Sequence, residues 1–267
     1  MPEHSDDAPL LPGLKPVLEL LQSEPQRIDL VFCKKGLRSR EALEVQNLCR
    51  HNGVRFSLVE QAALDRLCRD ARQGRDGVAH QGVVARLAVT GFCRLENLLT
   101  AVSGAPLPLL LALDQVQDPG NVGTLCRTLY ALGGAGLLLP RHNSAYLGPA
   151  ARRAAAGALE HLPVARVTNL AHALDAAEEA GLTVYGTGGA GGAHDRNSLD
   201  AFTSSLRLPA VLVLGNEGKG LRPGVAKRCS QFLRIPLARP FDSLNVAQAG
   251  AVLLGLAAAA RARGTIG

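Results

Sequence analysis

The feature that most constrains the fold is an apolar run at residues 109–113, typical of a strand that is covered on both faces of a sheet. Pro108 fits only at the start of such a strand, because proline lacks the N–H that a sheet interior needs. Further apolar runs alternate with helix-like segments up to a last helix that begins near Asn245. This alternation predicts an α/β domain with a mainly parallel sheet over residues 107–267.

A shorter alternation of the same kind precedes this domain. Expected strands at residues 28–33, 54–59 and 82–89 alternate with expected helices that begin near Pro12, Ser39 and Gln61. We therefore predict a small α/β domain over residues 10–89. Residues 90–106 have weaker periodicity and are interpreted as a linker.

Composition excludes several classes of protein. Aromatic residues make up only 3% of the chain and Trp is absent, which disfavours base stacking on a sheet of aromatic side chains. The six cysteines form no C-x-x-C pair and no zinc spacing, so we expect buried thiols and no metal. No apolar run approaches about 18 residues, and the first residues lack a secretory signal. We therefore expect no membrane association and a cytoplasmic protein.

Charge favours an acidic partner. Residues 106–267 carry 15 basic and 10 acidic residues, whereas residues 1–105 carry 14 basic and 13 acidic residues. Six basic residues between positions 34 and 55 face only two acidic ones, which indicates either a phosphate-binding patch or a solvated face. The residues expected to contact RNA there are Lys34, Lys35, Arg38 and Arg40.

Two glycine motifs fit familiar nucleotide sites poorly. Residues 186–191 match G-x-G-x-x-G after a strand, but no helix-forming segment follows them. Residues 215–220 resemble a phosphate loop, but Gly220 stands where Ser or Thr should hold magnesium. Neither a dinucleotide nor a nucleoside triphosphate enzyme is therefore favoured.

Three segments rich in Gly, Pro and Asn follow expected strands. They span residues 118–128, 214–221 and 235–246. Ligands in open α/β sheets bind at the carboxyl edge of the strands, and glycine lets the backbone approach a ligand closely. The segments supply amide, hydroxyl, guanidinium and carboxylate groups, with neither a histidine base nor a metal cluster.

Together these segments resemble, in order and spacing, the three motifs of the SpoU (TrmH-like) family of SPOUT RNA 2′-O-ribose methyltransferases. The resemblance covers residues 107–262. Residues 13–18 and 80–85 resemble the ribosomal-protein-like substrate-binding domain of bacterial enzymes that make 2′-O-methylguanosine in large-subunit ribosomal RNA. The resemblance implies a trefoil-knotted catalytic domain, a homodimer, S-adenosylmethionine as cofactor and structured RNA, most of all ribosomal RNA, as substrate.

The resemblance also implies the site residues. Catalytic roles fall on Asn121, Arg127, Glu217, Ser243 and Asn245. The cofactor walls are Thr187, Gly188, Gly189, Leu214, Gly215, Asn216, Glu217, Gly218, Ile235, Pro236, Leu237, Ser243, Leu244 and Asn245. Arg127 would meet the phosphate or ribose of the target nucleotide, and Arg152 and Arg153 would extend the RNA surface. Each key residue also has a structural explanation: a helix N-cap for Asn121, a surface ion pair for Arg127 and a cap for Glu217.

Three alternatives remain open from the sequence. The first is a transfer-RNA ribose methyltransferase, which would be expected to carry terminal helical extensions instead of an N-terminal α/β domain. The second is a non-catalytic RNA-binding homologue, which predicts damage to the motif residues, yet all five are present. The third is a thiostrepton-resistance type methylase with a similar two-domain plan. The resemblance departs from the family pattern at Ala247 and at residues 154–158, where alanine replaces a frequent serine.

Overall fold

A computed structural model describes residues 10–70, 80–87, 91–188, 198–204, 206–216, 218–239 and 243–264. The chain divides into two units. The first comprises Met1–Gly91 with Leu147–Pro149, and the second comprises Phe92–Tyr146 with Ala150–Gly267.

The first unit is a four-stranded mixed sheet covered by helices. The strands β1 (Leu10–Pro12), β2 (Ile28–Lys34), β3 (Arg55–Val59) and β4 (Val83–Leu87) lie in the order β1-β4-β2-β3. Strands β2 and β3 are parallel, whereas β4 is antiparallel to both β1 and β2. The helices are α1 (Leu14–Ser23), α2 (Arg40–His51) and α3 (Gln61–Asp70). The apolar faces of α1 and α2 pack on the sheet around Val17, Leu21, Val31, Val45 and Cys49.

A buried carboxylate joins three strands of this unit. Asp29, 3% exposed, accepts hydrogen bonds from Arg55 Nη2 at 2.8 Å and from Arg86 Nε and Nη2 at 3.0 and 2.8 Å. A buried carboxylate needs such partners because transfer of a charge out of water is costly. Arg55, one of the six basic residues counted from the sequence, therefore belongs to the interior of the unit.

The second unit is built on an eight-stranded sheet in which every described pairing is parallel. The strand order is β10-β12-β9-β11-β6-β7-β8-β5. The strands are β5 (Phe92–Cys93), β6 (Leu107–Leu113), β7 (Gly134–Pro140), β8 (Val164–Val167), β9 (Thr183–Thr187), β10 (Leu199–Asp200), β11 (Ala210–Leu214) and β12 (Gln231–Arg234). All seven residues of β6 are buried, as expected for a strand covered on both faces.

Helices enclose this sheet. They are α4 (Leu95–Ala101), α5 (Pro119–Ala131), α6 (Pro149–Ala155), α7 (Leu170–Glu179), α8 (Pro223–Ala226) and α9 (Val246–Ala262). Helix α9 packs against α5 and β6. The contact between α5 and α6 is close enough that a Cβ on Gly123 would lie 2.3 Å from the carbonyl oxygen of Ala151.

The expected linker at residues 90–106 differs from the structure. Strand β5 extends the sheet by pairing with β8, and Leu98 and Val102 are buried in the core of the second unit. From residue 92 onward this segment is therefore part of the second unit. Its elements are too short for apolar periodicity to show.

Among the described residues, no helix combines the length and apolar character that a membrane crossing requires. The same part of the chain contains no group of three or more His, Cys, Asp or Glu side chains arranged to hold a metal ion.

Candidate active site

The segments singled out from the sequence meet at one edge of the large sheet. Strands β12, β9, β11 and β6 are neighbours and run parallel, so their carboxyl ends share that edge. Residues 187–188 lie at the carboxyl end of β9, and residues 235–237 follow β12. Residues 214–216 and 218 lie at the end of β11 and directly after it, and a short loop connects β6 to α5. Four loops therefore surround the point at which α/β sheets bind ligands.

The first and third motifs are joined by a side-chain hydrogen bond. Asn245 Nδ2 donates to Asn121 Oδ1 over 3.0 Å. Asn245 also caps α9, because its Oδ1 accepts from the backbone N–H of Ala247 at 2.9 Å and of Gln248 at 3.4 Å. The cap fixes the Asn245 amide, which therefore reaches Asn121 in a defined orientation.

Asn121 is not the N-cap of α5. Asp118 has that role, since its Oδ1 accepts from the backbone N–H of Asn121 at 2.6 Å and Pro119 begins the helix. The capping explanation for Asn121 is therefore wrong, and its side chain points to α9 instead.

Arg127 lies further along α5 and is exposed. Within the described ranges, no carboxylate forms an ion pair with its guanidinium, so the structure gives no support to the surface-pair explanation. An exposed guanidinium suits contact with a phosphate or a ribose.

The loop after β11 is shaped by Asn216. Its backbone exchanges two hydrogen bonds with Gly220, of 3.1 and 2.8 Å, and its Oδ1 accepts from the N–H groups of Gly218 and Lys219. Its Nδ2 donates to the carbonyl of Gln115 at 3.2 Å. The Asn216 side chain thus holds the loop together. Glu217, within this loop, and Gly189 lie outside the described residues.

A buried ion pair anchors the same loop, and the sequence did not reveal it. Asp114 is fully buried at the end of β6 and accepts from the backbone N–H of Arg222 at 2.8 Å and from its Nε at 2.7 Å. The partners are 108 residues apart in the chain. The sequence did contain one indication of this pair, an acidic residue directly after a fully apolar strand. A carboxylate at such a position is buried and therefore needs a charged or hydrogen-bonding partner.

The remaining expected cofactor residues line the ends of β9 and β12. Thr187 Oγ1 donates to the carbonyl of Val213 at 3.2 Å, and the N–H of Gly188 donates to the carbonyl of Leu233 at 3.1 Å. Residues 235–237 are half-buried, and in the described part of the chain their backbone makes no hydrogen bond. Such unused backbone groups suit a purine with its own donors and acceptors. Ser243 is exposed and Leu244 is half-buried.

The basic residues expected to meet RNA are mostly exposed. Lys35, Arg38 and Arg40 are exposed and Lys34 is half-buried, and Lys35 pairs with Glu60 at 2.9 Å. In the second unit, Arg153 is exposed and Arg152 pairs with Glu160 at 2.6 Å. The Arg152 guanidinium holds the pKa of the Glu160 carboxyl below its usual value.

Comparison with known proteins identifies the class to which this fold and site belong. The model of the SpoU rRNA Methylase family matches residues 108–255, and the model of the RNA 2′-O ribose methyltransferase substrate binding domain matches residues 10–89. The chain belongs to the SpoU rRNA methylase family. Membership confirms the expected enzyme class, an RNA methyltransferase with S-adenosylmethionine as cofactor.

Individual relatives match most of the chain. The 23S rRNA (guanosine-2′-O-)-methyltransferase RlmB of Pseudomonas syringae pv. tomato is 34% identical over 245 residues, 91% of this chain and 92% of that protein. The putative TrmH family tRNA/rRNA methyltransferase YacO of Bacillus subtilis is 32% identical over 243 residues, again 91% and 92%. The crystal structure of an AdoMet-bound rRNA methyltransferase from Sinorhizobium meliloti superposes with a TM-score of 0.53 at 26% identity, covering 93% of this chain and 85% of that one.

Proposed function

We propose that this protein transfers a methyl group from S-adenosylmethionine to the ribose 2′-hydroxyl of a guanosine in 23S ribosomal RNA. The observation that carries the proposal is the Asn245–Asn121 hydrogen bond, which brings the first and third motifs together at the edge lined by the cofactor segments. The relatives that act on 23S rRNA guanosine match this chain across both units, which supports this substrate over transfer RNA.

The cofactor supplies a methyl group that its sulfonium has already activated. The chain must therefore bind and orient the reacting groups, and it needs no strong nucleophile of its own. We assign the orientation of the target ribose to Asn121 and Arg127. A guanidinium stays charged in proteins, so Arg127 acts by orienting the nucleotide and stabilising charge. Glu217, Ser243 and Asn245 order the pocket.

We assign cofactor binding to the backbone of the four loops. The walls are residues 187–189, 214–218, 235–237 and 243–245, of which residues 189 and 217 lie outside the described part of the chain. Asn216 contributes by shaping its loop, and Asp114 and Arg222 fix that loop to β6. The knot that the family resemblance implies would bring these loops together around the cofactor.

We further propose a homodimer that uses α9. Several apolar side chains of this helix remain partly exposed outside the core, among them Ala249, Val252 and Leu256. An apolar stripe of this kind favours an interface with a second copy. Light scattering at micromolar concentration tests this proposal, and a stable monomer would contradict it. A cytoplasmic location follows from the ribosomal substrate and is tested by cell fractionation.

We propose a division of labour between the two units. Residues 10–89 bind RNA through Lys34, Lys35, Arg38 and Arg40, while residues 107–267 carry out the reaction and Arg152 and Arg153 add RNA contacts. Because β5 and α4 complete the second unit, a truncated protein that tests this division should begin at Gly91 and not at Pro106. It should bind the cofactor as the whole chain does and methylate ribosomal RNA poorly.

The decisive experiment maps 2′-O-methylation in ribosomal and transfer RNA from a strain that lacks this protein. We expect one guanosine of 23S rRNA to lose its methyl group and to regain it with the wild-type gene but not with Arg127→Ala. Loss confined to transfer RNA would overturn the substrate assignment. Loss at no site would favour a non-catalytic RNA-binding protein. Activity of the purified protein should survive a metal chelator.

A further inference from the structure

Two aromatic rings are stacked on the surface of the second unit. The ring of Tyr130, near the C-terminus of α5, has its centroid 5.7 Å from that of the His161 ring, and the two planes differ by 25°. Tyr130 is 46% exposed and His161 is also exposed. A chain with only 3% aromatic residues therefore keeps an ordered aromatic pair, here called the ring pair, in contact with solvent.

Arg127 and Tyr130 belong to one face of α5. Residues three and four apart in a helix are neighbours, with Cβ atoms about 5–6 Å apart, so Gly123, Arg127 and Tyr130 form a continuous row. Gly123 marks the side on which α6 packs, because a Cβ there would clash with the carbonyl oxygen of Ala151 and the Cβ of Ala154. The exposed Arg127 and the ring pair therefore lie on the side of α5 that adjoins α6.

The segment after α6 supplies the second ring. A 3-10 turn (Ala158–Glu160) follows α6 and packs against α5. His161 comes directly after the turn, and its backbone N–H donates to the carbonyl of Ala158 at 3.2 Å. The next residue, Leu162, is buried and anchors the backbone in the unit. The His161 ring is therefore held against Tyr130 by a packed segment.

The charged groups beside the ring pair leave an excess of positive charge. Arg152 of α6 donates to the carboxylate of Glu160 from Nε at 2.7 Å and from Nη2 at 2.6 Å. This pair offsets the charge of Glu160, the acid adjacent to His161 in the chain. Arg127 forms no ion pair with the residues that the structure describes. Its charge therefore favours an anionic partner on this surface.

An RNA base with its phosphate matches a ring pair next to a guanidinium. Proteins bind unpaired RNA bases by stacking them on aromatic side chains such as Tyr and His, and they contact phosphates through Arg. The core of a protein–protein interface is instead depleted of charged residues. Here Arg127 and the Arg152–Glu160 pair lie beside the rings, which favours RNA over a protein partner.

We propose that the ring pair stacks on one unpaired base adjacent to the target nucleotide in the RNA substrate. The proposal rests on the proposed function, in which Arg127 meets the phosphate or ribose of the target. Arg127 and Tyr130 are about one helical turn apart, so a neighbouring base lies on the Tyr130 ring while the guanidinium holds the target. Stacking on an aromatic ring tolerates every base, so this contact adds affinity and orientation without selecting a sequence.

The first test asks whether an RNA base reaches Tyr130. The chain contains three tyrosines, so 13C labelling of their rings in the full-length protein gives three sets of NMR signals, and Tyr130→Phe identifies one of them. The protein is saturated with S-adenosylhomocysteine and titrated with hexameric oligoadenylate or with an abasic hexamer that has the same phosphates. Oligoadenylate should shift the Tyr130 ring signals upfield, and the abasic hexamer should not. The buried Tyr185 is the internal reference.

Methylation of 23S rRNA provides the second test. Tyr130→Leu removes the ring but keeps an apolar side chain, so KM for RNA should rise about fivefold or more while kcat and the cofactor Kd stay unchanged. Tyr130→Phe should behave as wild type, because stacking needs the ring and not the hydroxyl. His161→Ala should raise KM by a smaller factor. Lys227→Ala, which alters an exposed basic residue of the same unit, is the control.

The outcomes separate this proposal from the proposed function. Equal ring shifts with both hexamers, no shift with either, or a wild-type KM in Tyr130→Leu would overturn base stacking even if methylation proceeds. A change in the oligomeric mass of Tyr130→Leu, measured by light scattering, would assign the ring pair to a protein contact and also overturn it. A base-dependent shift of Tyr130 in a protein that methylates no ribosomal RNA would keep the stacking site and overturn the proposed function.

Discussion

Asn245, at the N-terminus of α9, donates a hydrogen bond to Asn121, 124 residues earlier in α5, and so joins two segments that are distant in the sequence. Each partner lies at a capped helix N-terminus. The Asp118 side chain caps α5, which contains Asn121, and the Asn245 side chain caps α9. The relative placement of the two amides therefore depends on the docking of two helices.

Replacement of Asn121 should affect turnover more than stability. Asn121→Ala removes the hydrogen bond from Asn245, and such a bond stabilises the fold by only about 1 kcal/mol, yet kcat/KM should fall at least about tenfold. Asp118→Ala, the matched change at the same helix end, should cost about 1 kcal/mol through loss of the cap and reduce turnover less. Urea unfolding and methylation of 23S rRNA measure both effects. Activity losses that merely follow stability losses would show that Asn121 is structural.

Replacement of Arg127 should leave stability nearly unchanged. The side chain is exposed and unpaired within the described residues, so Arg127→Ala should change the free energy of unfolding by less than about 0.5 kcal/mol. Activity should fall about 100-fold or more if the guanidinium stabilises charge or holds the ribose. Arg127→Lys should recover only part of it, because lysine lacks the planar fork. Lys227→Ala, another exposed basic residue of this unit, should behave as wild type.

The Asp114–Arg222 pair should couple stability to cofactor affinity. Arg222→Ala leaves a fully buried carboxylate without its charged partner, so it should destabilise the fold by about 3 kcal/mol and weaken cofactor binding through the loop at residues 214–222. Asp114→Asn should cost less, since the Arg222 side chain is 40% exposed and water can solvate it. Calorimetric titration of S-adenosylmethionine and a double-mutant cycle provide the measurement. Additive effects of the two changes would contradict coupling.

Two glycines in helix interiors should respond oppositely to alanine. A Cβ on Gly123 would clash with the backbone carbonyl of Ala151, so Gly123→Ala should destabilise by about 1–3 kcal/mol or more. A Cβ on Gly255 meets nothing within 4 Å, so Gly255→Ala should gain about 0.5–1 kcal/mol from helix propensity. Thermal unfolding of both variants is the test. A stable Gly123→Ala protein would show that α5 and α6 can separate at no cost.

Buried thiols should make the protein less stable in alkali. Burial raises the pKa of Cys126 to about 12 and of Cys33 to about 11. An unfolded thiol has a pKa of about 8.5, so the folded state keeps protons that the unfolded state releases, and the free energy of unfolding falls as the pH rises above about 8.5. Urea unfolding at pH 7.5 and pH 10 should show this fall, and Cys126→Ala should reduce it. An unchanged slope in that variant would mean that Cys126 does not contribute.

The sequence predicted the α/β class and the parallel sheet, because these depend on local features. The buried run at β6 and the glycine- and asparagine-bearing segments after the strands are visible in any single chain. The tertiary contacts between distant residues could not be predicted from the sequence. The Asp114–Arg222 pair and the use of Asn216 to fold its own loop depend on residues brought together by the fold.

The boundary between the two units shows the same limit. Residues 92–104 form one two-residue strand and short helical turns, whose apolar positions are too few to define a period. Only the pairing of Phe92 with Val164 and the burial of Leu98 assign them to the second unit. Methyltransfer residues were identified by resemblance, and the functions of those residues stay predictions.

The long separation between Asn121 and Asn245 has a consequence during synthesis on the ribosome. Strand β6 acquires its neighbour β11 only after about a hundred further residues have been added. A nascent chain that has emerged as far as β12 carries every strand that borders the edge but lacks Asn245, the hydrogen-bond partner of Asn121. The hydrogen bond between Asn245 and Asn121 therefore forms in one late step, when α9 docks against α5.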